Sequence, residues 1–193
     1  MLTQYRNRLC SALPKKGRIK MKKFLIVVDM QKDFIDGSLG TKEAAAVVPK
    51  AAEKITGFDG TVVATLDTHF EDYLDTSEGK KLPVPHCIKG SAGWKLDPAI
   101  SAAIEPKDHY VMEKNTFGSK ELPFLIEKLA NGEEFSVELI GLCTDICVIS
   151  NALLLKAFFP ENDISVDADC CAGVTPELHN AALSVIASCQ CAP

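Results

Sequence analysis

Reactive side chains follow four runs of apolar residues that are typical of buried strands. Asp29 follows the first run, Asp67 and His69 end the second, Lys114 ends the third, and Cys147 comes just past the fourth. In an open α/β sheet the carboxyl ends of parallel strands lie along one edge, where ligands bind. One charged strand end would mean little, but four in succession predict that these side chains converge on a site.

Cys147 is the candidate nucleophile of this set. It follows a strand and a short turn, near the start of a predicted helix that runs to about Phe158. Unpaired N–H groups and positive potential at a helix start would lower the pKa of the thiol. The same N–H groups could hold an oxyanion. The alternative is a buried cysteine that packs against the sheet without reacting.

Asp29 and Lys114 supply what a nucleophilic cysteine needs. A carboxylate can take the thiol proton and later deliver it to a leaving amine. A neighbouring lysine keeps that carboxylate ionised and stabilises a thiolate. The three residues together therefore favour acyl transfer. The alternatives are a solvated strand end for Asp29 and a surface ion pair of Lys114 with Glu113 or Glu121.

Asp67, His69 and His86 are candidate ligands of a metal ion. Residues two apart in an extended segment point to the same face, so Asp67 and His69 would lie side by side. His86 belongs to a long irregular segment, residues 67–96, of the kind that is usually functional or disordered. Three protein ligands with open positions are typical of a catalytic metal site. Zinc, manganese and iron(II) all accept this set of oxygen and nitrogen ligands.

Strand-like and helix-like segments alternate along the chain and would position these groups. The strand-like runs are 24–30, 61–69, 109–114, 136–142 and 163–169. The predicted helices cover about 42–57, 97–104, 120–131, 145–158 and 175–188. This pattern predicts a three-layer αβα fold with a doubly wound, mostly parallel sheet of five to six strands. No G-x-G-x-x-G motif follows the first strand, which disfavours a dinucleotide-binding protein.

Composition narrows the class of protein further. The 193 residues carry a net charge of -5, although the first 20 include six basic residues and no acidic one. We interpret residues 1–20 as a disordered or mis-started leader and residues 21–193 as one domain. The acidic remainder disfavours nucleic acid as a partner, and no apolar run is long enough to span a membrane. Eight cysteines without a C-x-x-C pair indicate reduced thiols and a cytoplasmic protein.

Five segments of the chain resemble the isochorismatase-like cysteine hydrolases, and within them the nicotinamidase/pyrazinamidase branch. These segments are IVVDMQKDFIDGSLGTKEA (26–44), DTH (67–69), PHC (85–87), EKNTFGS (113–119) and GLCTDICV (141–148). The resemblance covers about residues 22–188. The Asp-x-His pair with the later Pro-His distinguishes the nicotinamidase branch from isochorismatases. One departure is Cys143, where the family usually has a small residue such as alanine.

The resemblance implies a catalytic role for each matching residue. Asp29, Lys114 and Cys147 would form the catalytic triad of a cysteine hydrolase. The backbone N–H groups of Cys143 and Cys147 would form the oxyanion hole, with a cis peptide bond between Leu142 and Cys143.

The resemblance also implies a metal site and a substrate pocket. The metal ligands would be Asp67, His69 and His86, with Glu78 as a further candidate. The pocket would contain three aromatic side chains: Phe34, Trp94 and Phe117.

The function implied is hydrolysis of nicotinamide to nicotinate and ammonia through a thioester on Cys147. One divalent metal ion, zinc ahead of manganese or iron, would orient the pyridine ring. An alternative is a related cysteine hydrolase, with or without a metal, that acts on another small amide. An alternative of a different class is a non-catalytic metal-binding or thiol-sensing protein. The expected partners are a small-molecule amide and further copies of the chain in a homo-oligomer, with no nucleic acid and no membrane.

Overall fold

The structure is a computed structural model that describes residues 21–191. Its strands are β1 (Lys22–Val28), β2 (Thr61–Asp67), β3 (His109–Lys114), β4 (Phe135–Leu142) and β5 (Asp163–Ala172). Its α-helices are α1 (Lys32–Ile35), α2 (Lys42–Gly57), α3 (Pro98–Ile104), α4 (Leu122–Ala130), α5 (Ile149–Phe158) and α6 (Pro176–Ser188). The leader predicted over residues 1–20 lies outside the described residues.

The five strands form one parallel sheet in the order β3-β2-β1-β4-β5. This order confirms the predicted doubly wound sheet, with five strands in the described part of the chain. Two strands that are adjacent in space but distant in sequence, β1 and β4, mark the point where the winding reverses. Ligands bind beyond the carboxyl ends of the strands at such a point.

Strand β1 shows why the sheet is covered on both faces. Phe24, Ile26 and Val28 pack into one hydrophobic cluster with residues of α4, α5 and α6. Leu25 and Val27 pack into a second cluster with residues of α1, α2 and α3. Alternate side chains of a strand point to opposite faces, and both sets are apolar here. The result is the predicted arrangement of three layers, with a helical layer on each side of the sheet.

Local signals in the sequence set the starts of two helices. The side chain of Thr41 accepts a hydrogen bond from Ala44 N at the start of α2. The side chain of Thr175 accepts one from Leu178 N, and Pro176 opens α6. Threonine caps satisfy otherwise unpaired N–H groups, and proline is well suited to the first helical position. Within residues 21–191, no helix is both long and apolar enough to cross a membrane.

The helix predicted over residues 145–158 begins differently from an ordinary α-helix. A single π-helical turn, Thr144–Val148, precedes α5 and carries Cys147. Such turns are rare and are frequent at functional sites. Gly141, just before it, has a φ of +114° and lies against Val28, where a side chain would clash with the Val28 carbonyl oxygen. The glycine therefore allows the end of β4 to approach β1 closely.

Candidate active site

The order of the strands brings the four predicted groups to one edge of the sheet. Asp29 directly follows β1, and Asp67 and Lys114 are the last residues of β2 and β3. Asp67 and Lys114 are also paired in the register of these two strands. Cys147 reaches the same place from the π turn after β4. The side chains converge beyond the carboxyl ends of β1 and β4, at the crevice where the winding of the sheet reverses.

The ammonium group of Lys114 is the centre of the site. Its Nζ lies 2.7 Å from Asp29 Oδ2, 3.2 Å from Asp67 Oδ1 and 3.5 Å from Cys147 Sγ. The four side chains are buried, and Asp29 has no exposed surface at all. One cation therefore contacts two carboxylates and a thiol in an environment that excludes most water. Electrostatic interactions are strong in such surroundings.

Burial determines the protonation of the Cys147 thiol and of the Asp29 carboxyl group. It raises the pKa of the Cys147 thiol well above the ordinary value, and Asp29 adds to the increase while Lys114 opposes it. Desolvation therefore outweighs the favourable charge of Lys114, and the net effect on the thiol is opposite to the lowering expected from a helix start. Burial also raises the pKa of Asp29, against the effect of Lys114. A protonated thiol needs a base beside it before it can attack a substrate.

Lys114 keeps its charge in this setting. Burial alone would lower its pKa, but the charges of Asp29, Cys147 and Asp67 raise it above the ordinary lysine value. The side chain therefore remains a cation at any pH at which the protein would work. It can balance negative charge that develops on the sulfur.

A threonine that the sequence analysis did not select holds Asp29 in place. Thr65 Oγ1 donates a hydrogen bond of 2.6 Å to Asp29 Oδ1, and Asp29 N donates to the Thr65 carbonyl. Asp29 itself has a φ of +49°, which is uncommon for a residue other than glycine. The signal in the sequence was a hydroxyl inside the otherwise apolar run of β2.

Asp67, His69 and His86 form a compact group at the side of this centre. Their potential ligand atoms all lie within 4.8 Å of one another. Asp67 Oδ2 is 3.0 Å from His69 Nε2 and 3.6 Å from His86 Nε2. Glu78 Oε1 lies 3.8 Å from each of the two imidazole nitrogens. The structure thus brings together the predicted metal ligands, with Glu78 at the rim.

The protonation and hydrogen bonding of this group suit a divalent cation. His86 Nδ1 lies 2.8 Å from the carbonyl oxygen of Val84 and can donate to it, which leaves the lone pair of Nε2 directed at the group. His69 Nε2 is buried and has no hydrogen-bond partner within residues 21–191. Burial alone would raise the pKa of Asp67, but the nearby imidazoles of His69 and His86 and the charge of Lys114 lower it. An ionised carboxylate and two imidazoles fit zinc, manganese or iron(II).

Two polar residues of the DMQKDF segment form hydrogen bonds with the backbone at or next to the metal ligands, and neither was a predicted site residue. The amide of Gln31 is fully buried, donates to the Asp67 carbonyl at 2.8 Å and accepts from Asp67 N at 2.7 Å. Asp33 Oδ2 accepts from Cys87 N at 2.7 Å, next to His86. A buried glutamine directly after a strand end is a signal of this kind of support, because buried amides need partners.

A cavity of about 830 Å³ opens over the thiol and the metal group. Cys147, Cys143 and the metal group line it, and Phe34 and Phe117 contribute aromatic surface. The Leu142–Cys143 peptide bond is cis, as the resemblance implied.

Trp94 does not line this cavity, contrary to its predicted place in the pocket. Its Nε1 donates a hydrogen bond of 2.9 Å to Thr68 Oγ1, and its backbone carbonyl accepts from Gln31. Thr68 itself lines the cavity. The indole N–H is therefore bonded to a residue of the cavity wall, while Trp94 itself is not among the lining residues.

Comparison with known proteins identifies the family of the chain. Residues 23–193 match the isochorismatase domain family. An isochorismatase family protein named PncA from Bacillus subtilis is 32% identical over 179 residues, which cover 87% of this chain and 96% of that protein. A crystal structure of nicotinamidase PncA from Bacillus subtilis superposes with a TM-score of 0.73 at 29% identity, covering 86% and 94% of the two chains.

Two further crystal structures extend the comparison. Pyrazinamidase of Pyrococcus horikoshii in complex with zinc has a TM-score of 0.71 at 26% identity, covering 88% of this chain and 96% of that one. N-carbamoylsarcosine amidase from Thermoplasma acidophilum has a TM-score of 0.67 at 32% identity, covering 86% and 94%. The chain belongs to the isochorismatase family and is an amidohydrolase. The resemblance of its motifs to the nicotinamidase/pyrazinamidase branch is confirmed.

Proposed function

We propose that this amidohydrolase converts nicotinamide and water to nicotinate and ammonia through a thioester on Cys147. The observation that carries the proposal is the position of Lys114 Nζ, within 3.5 Å of Asp29, Asp67 and Cys147 at once. The ammonium group of Lys114 thus connects the thiol and its base to the group of metal ligands. An amide that is held by its ring on one side would present its carboxamide to the sulfur on the other.

The residues of the chain have separate tasks in this reaction. Asp29 takes the proton of Cys147, and the sulfur attacks the carboxamide carbon. The backbone N–H groups of Cys143 and Cys147 stabilise the oxyanion. Asp29 then gives the proton to the departing ammonia, and the acyl group remains on Cys147 as a thioester. Asp29 next activates the water that hydrolyses the thioester and releases nicotinate. Lys114 balances the negative charge throughout.

The metal site would select and orient the ring. Asp67, His69 and His86 would hold the ion, with zinc the first choice and Glu78 as a further or outer ligand. Such an ion, when bound, withdraws electron density from the pyridine ring and fixes its nitrogen. Phe34 packs edge-on against His86, with ring centroids 5.4 Å apart, and would contact the ring together with Phe117.

The test is ammonia release from nicotinamide. Wild-type protein should release ammonia and Cys147→Ala should not, because the variant lacks the sulfur on which the thioester would form. Cys189→Ala is the matched control, because Cys189 is an exposed free cysteine directly after the end of α6. Removal of metal by a chelator should suppress the reaction, and re-addition of zinc should restore it. Full activity of Cys147→Ala would exclude the thioester.

A second candidate is hydrolysis of another small amide by the same triad. The likeness to N-carbamoylsarcosine amidase favours it, since that protein resembles the chain as strongly in sequence as the Bacillus relative does. Ammonia release from nicotinamide, pyrazinamide and aliphatic amides, compared as kcat/KM, distinguishes the two candidates. A clear preference for an aliphatic amide, with no effect of a chelator, would favour the second.

A further inference from the structure

The side chain of Asn151 connects the helix that carries Cys147 to the loop that carries Phe117. Asn151 lies on α5, one turn after Cys147, and is fully buried. Its Nδ2 donates to the carbonyl of Cys147 at 2.8 Å and to the carbonyl of Phe117 at 3.2 Å. Its Oδ1 accepts from Ser119 N at 2.9 Å. We propose that Asn151 is a positioning residue that sets the distance between the aromatic wall of the substrate cavity and the attacking sulfur.

The loop after Lys114 needs these hydrogen bonds because packing alone does little to fix its aromatic side chain, Phe117. Phe117 lines the cavity but remains 48% exposed, so packing alone does not fix its ring. The hydrogen bonds from Asn151 hold the backbone on both sides of Gly118, at the carbonyl of Phe117 and the N–H of Ser119. Gly118 itself lies so close to α5 that a side chain there would press on the Ser150 carbonyl. The loop is therefore held against the helix through its main chain.

Among the twenty side chains, the carboxamide of asparagine suits this position for a chemical reason. The two carbonyl oxygens need donors and the Ser119 N–H needs an acceptor, and only an amide offers two donors and an acceptor in one plane. A carboxylate would face two carbonyl oxygens without a proton. A threonine hydroxyl could still bond the Cys147 carbonyl, one helical turn back, but could not reach both sides of the loop.

The consequence lies in substrate binding more than in the chemical step. If the ring of a nicotinamide substrate packs against Phe117, loosening the loop weakens that contact while the triad stays intact. An aromatic contact of this kind corresponds to roughly a three- to tenfold change in affinity. This inference rests on the proposed function, since it concerns the wall against which the ring would lie.

The experiment is steady-state kinetics with nicotinamide on metal-loaded protein. Asn151→Thr should raise KM about three- to tenfold and change kcat by less than about twofold. The matched control is Asn162→Thr, because the Asn162 amide donates to the Phe135 carbonyl at 2.9 Å far from the site. That control should leave both constants unchanged. Alkylation of Cys147 by iodoacetamide and the melting temperature establish that the variant is folded.

A double-mutant cycle with Phe117→Ala separates positioning from general stability. Phe117→Ala alone should raise KM. Asn151→Thr should then raise KM by a smaller factor in the Phe117→Ala protein than in the wild type. Additive effects, an unchanged KM in Phe117→Ala, or a loss confined to kcat would each overturn the inference. If the wild type turned nicotinamide over and the Asn151→Thr variant had the same KM, the inference would be overturned as well. Absence of turnover in the wild type would overturn the proposed function and this inference with it.

Discussion

Two lysines in the molecule each contact two carboxylates, and only one of them belongs to the candidate active site. Lys114 lies between Asp29 and Asp67, and Lys54 lies 2.8 Å from Glu138 and 2.9 Å from Asp167. Both groups adjoin cavities of about 830 Å³. The charges and distances are nearly alike. The surroundings differ.

The difference lies in burial and in the atoms that remain without a partner. Side chains around Lys114 are 7% exposed or less, whereas the side chains around Lys54 are 22% to 28% exposed. Among the described residues, the two buried side-chain atoms without a hydrogen-bond partner are Asp29 Oδ2 and His69 Nε2, and both belong to the first group. The contact of Asp29 Oδ2 is its ion pair with Lys114 Nζ at 2.7 Å. Unsatisfied buried atoms of this kind mark a place that stability alone does not explain.

The largest expected effect comes from removing each lysine in turn. Lys114→Met leaves two buried carboxylates without their cation, so it should cost about 3–5 kcal/mol of unfolding free energy. It should also lower kcat/KM by roughly 10²- to 10³-fold, as loss of a group that stabilises developing negative charge does. Lys54→Met should cost about 1 kcal/mol and leave kinetics unchanged, since its pairs are partly solvated. Urea denaturation and ammonia release measure both quantities.

The comparison of the two lysines would fail in either of two ways. Equal losses of stability in the two variants would mean that burial does not distinguish the groups. Full activity of Lys114→Met would remove Lys114 from the proposed reaction.

A smaller effect is expected from two glutamates, one beside each group. Glu78 Oε1 lies 3.8 Å from both imidazole nitrogens, so Glu78→Gln should weaken zinc binding about 10- to 100-fold. Glu138→Gln removes a carboxylate that contacts Lys54 and should leave zinc affinity unchanged. Competition with a chromophoric chelator measures the affinity. Identical zinc affinities of Glu78→Gln and wild type would show that Glu78 is outside the metal site.

Much of the candidate site could be predicted from the sequence, because strand ends are easy to locate. The apolar runs before Asp29, Lys114 and Cys147 identified the strands, and parallel strands must present these ends at one edge. The spacing of Asp67 and His69 followed from the alternation of an extended chain. These relations depend on local sequence and on topology, which a pattern of apolar residues determines.

Other features depend on contacts between distant segments, which no local pattern records. Trp94 donates its hydrogen bond to Thr68, 26 residues earlier. The raised pKa of Cys147 depends on how completely the helices bury it. The bridge of Asn151 to Phe117 and Ser119 spans more than 30 residues. In each case the partner could be identified only from the fold.

The smallest expected effect concerns two threonines of β2, and it separates the effect of burial from the effect of bond length. Thr65 Oγ1 donates to Asp29 Oδ1 at 2.6 Å in the buried site, and Thr61 Oγ1 donates to Asp108 Oδ2 at the same distance on the surface. Thr65→Val should lower kcat/KM about tenfold, because a buried hydrogen bond to a carboxylate contributes roughly 1.5–3 kcal/mol. Thr61→Val should leave kinetics unchanged, since water replaces the lost hydroxyl. If both variants retained full activity, the hydroxyl of Thr65 would have no part in holding Asp29, and burial would not be what separates the two bonds.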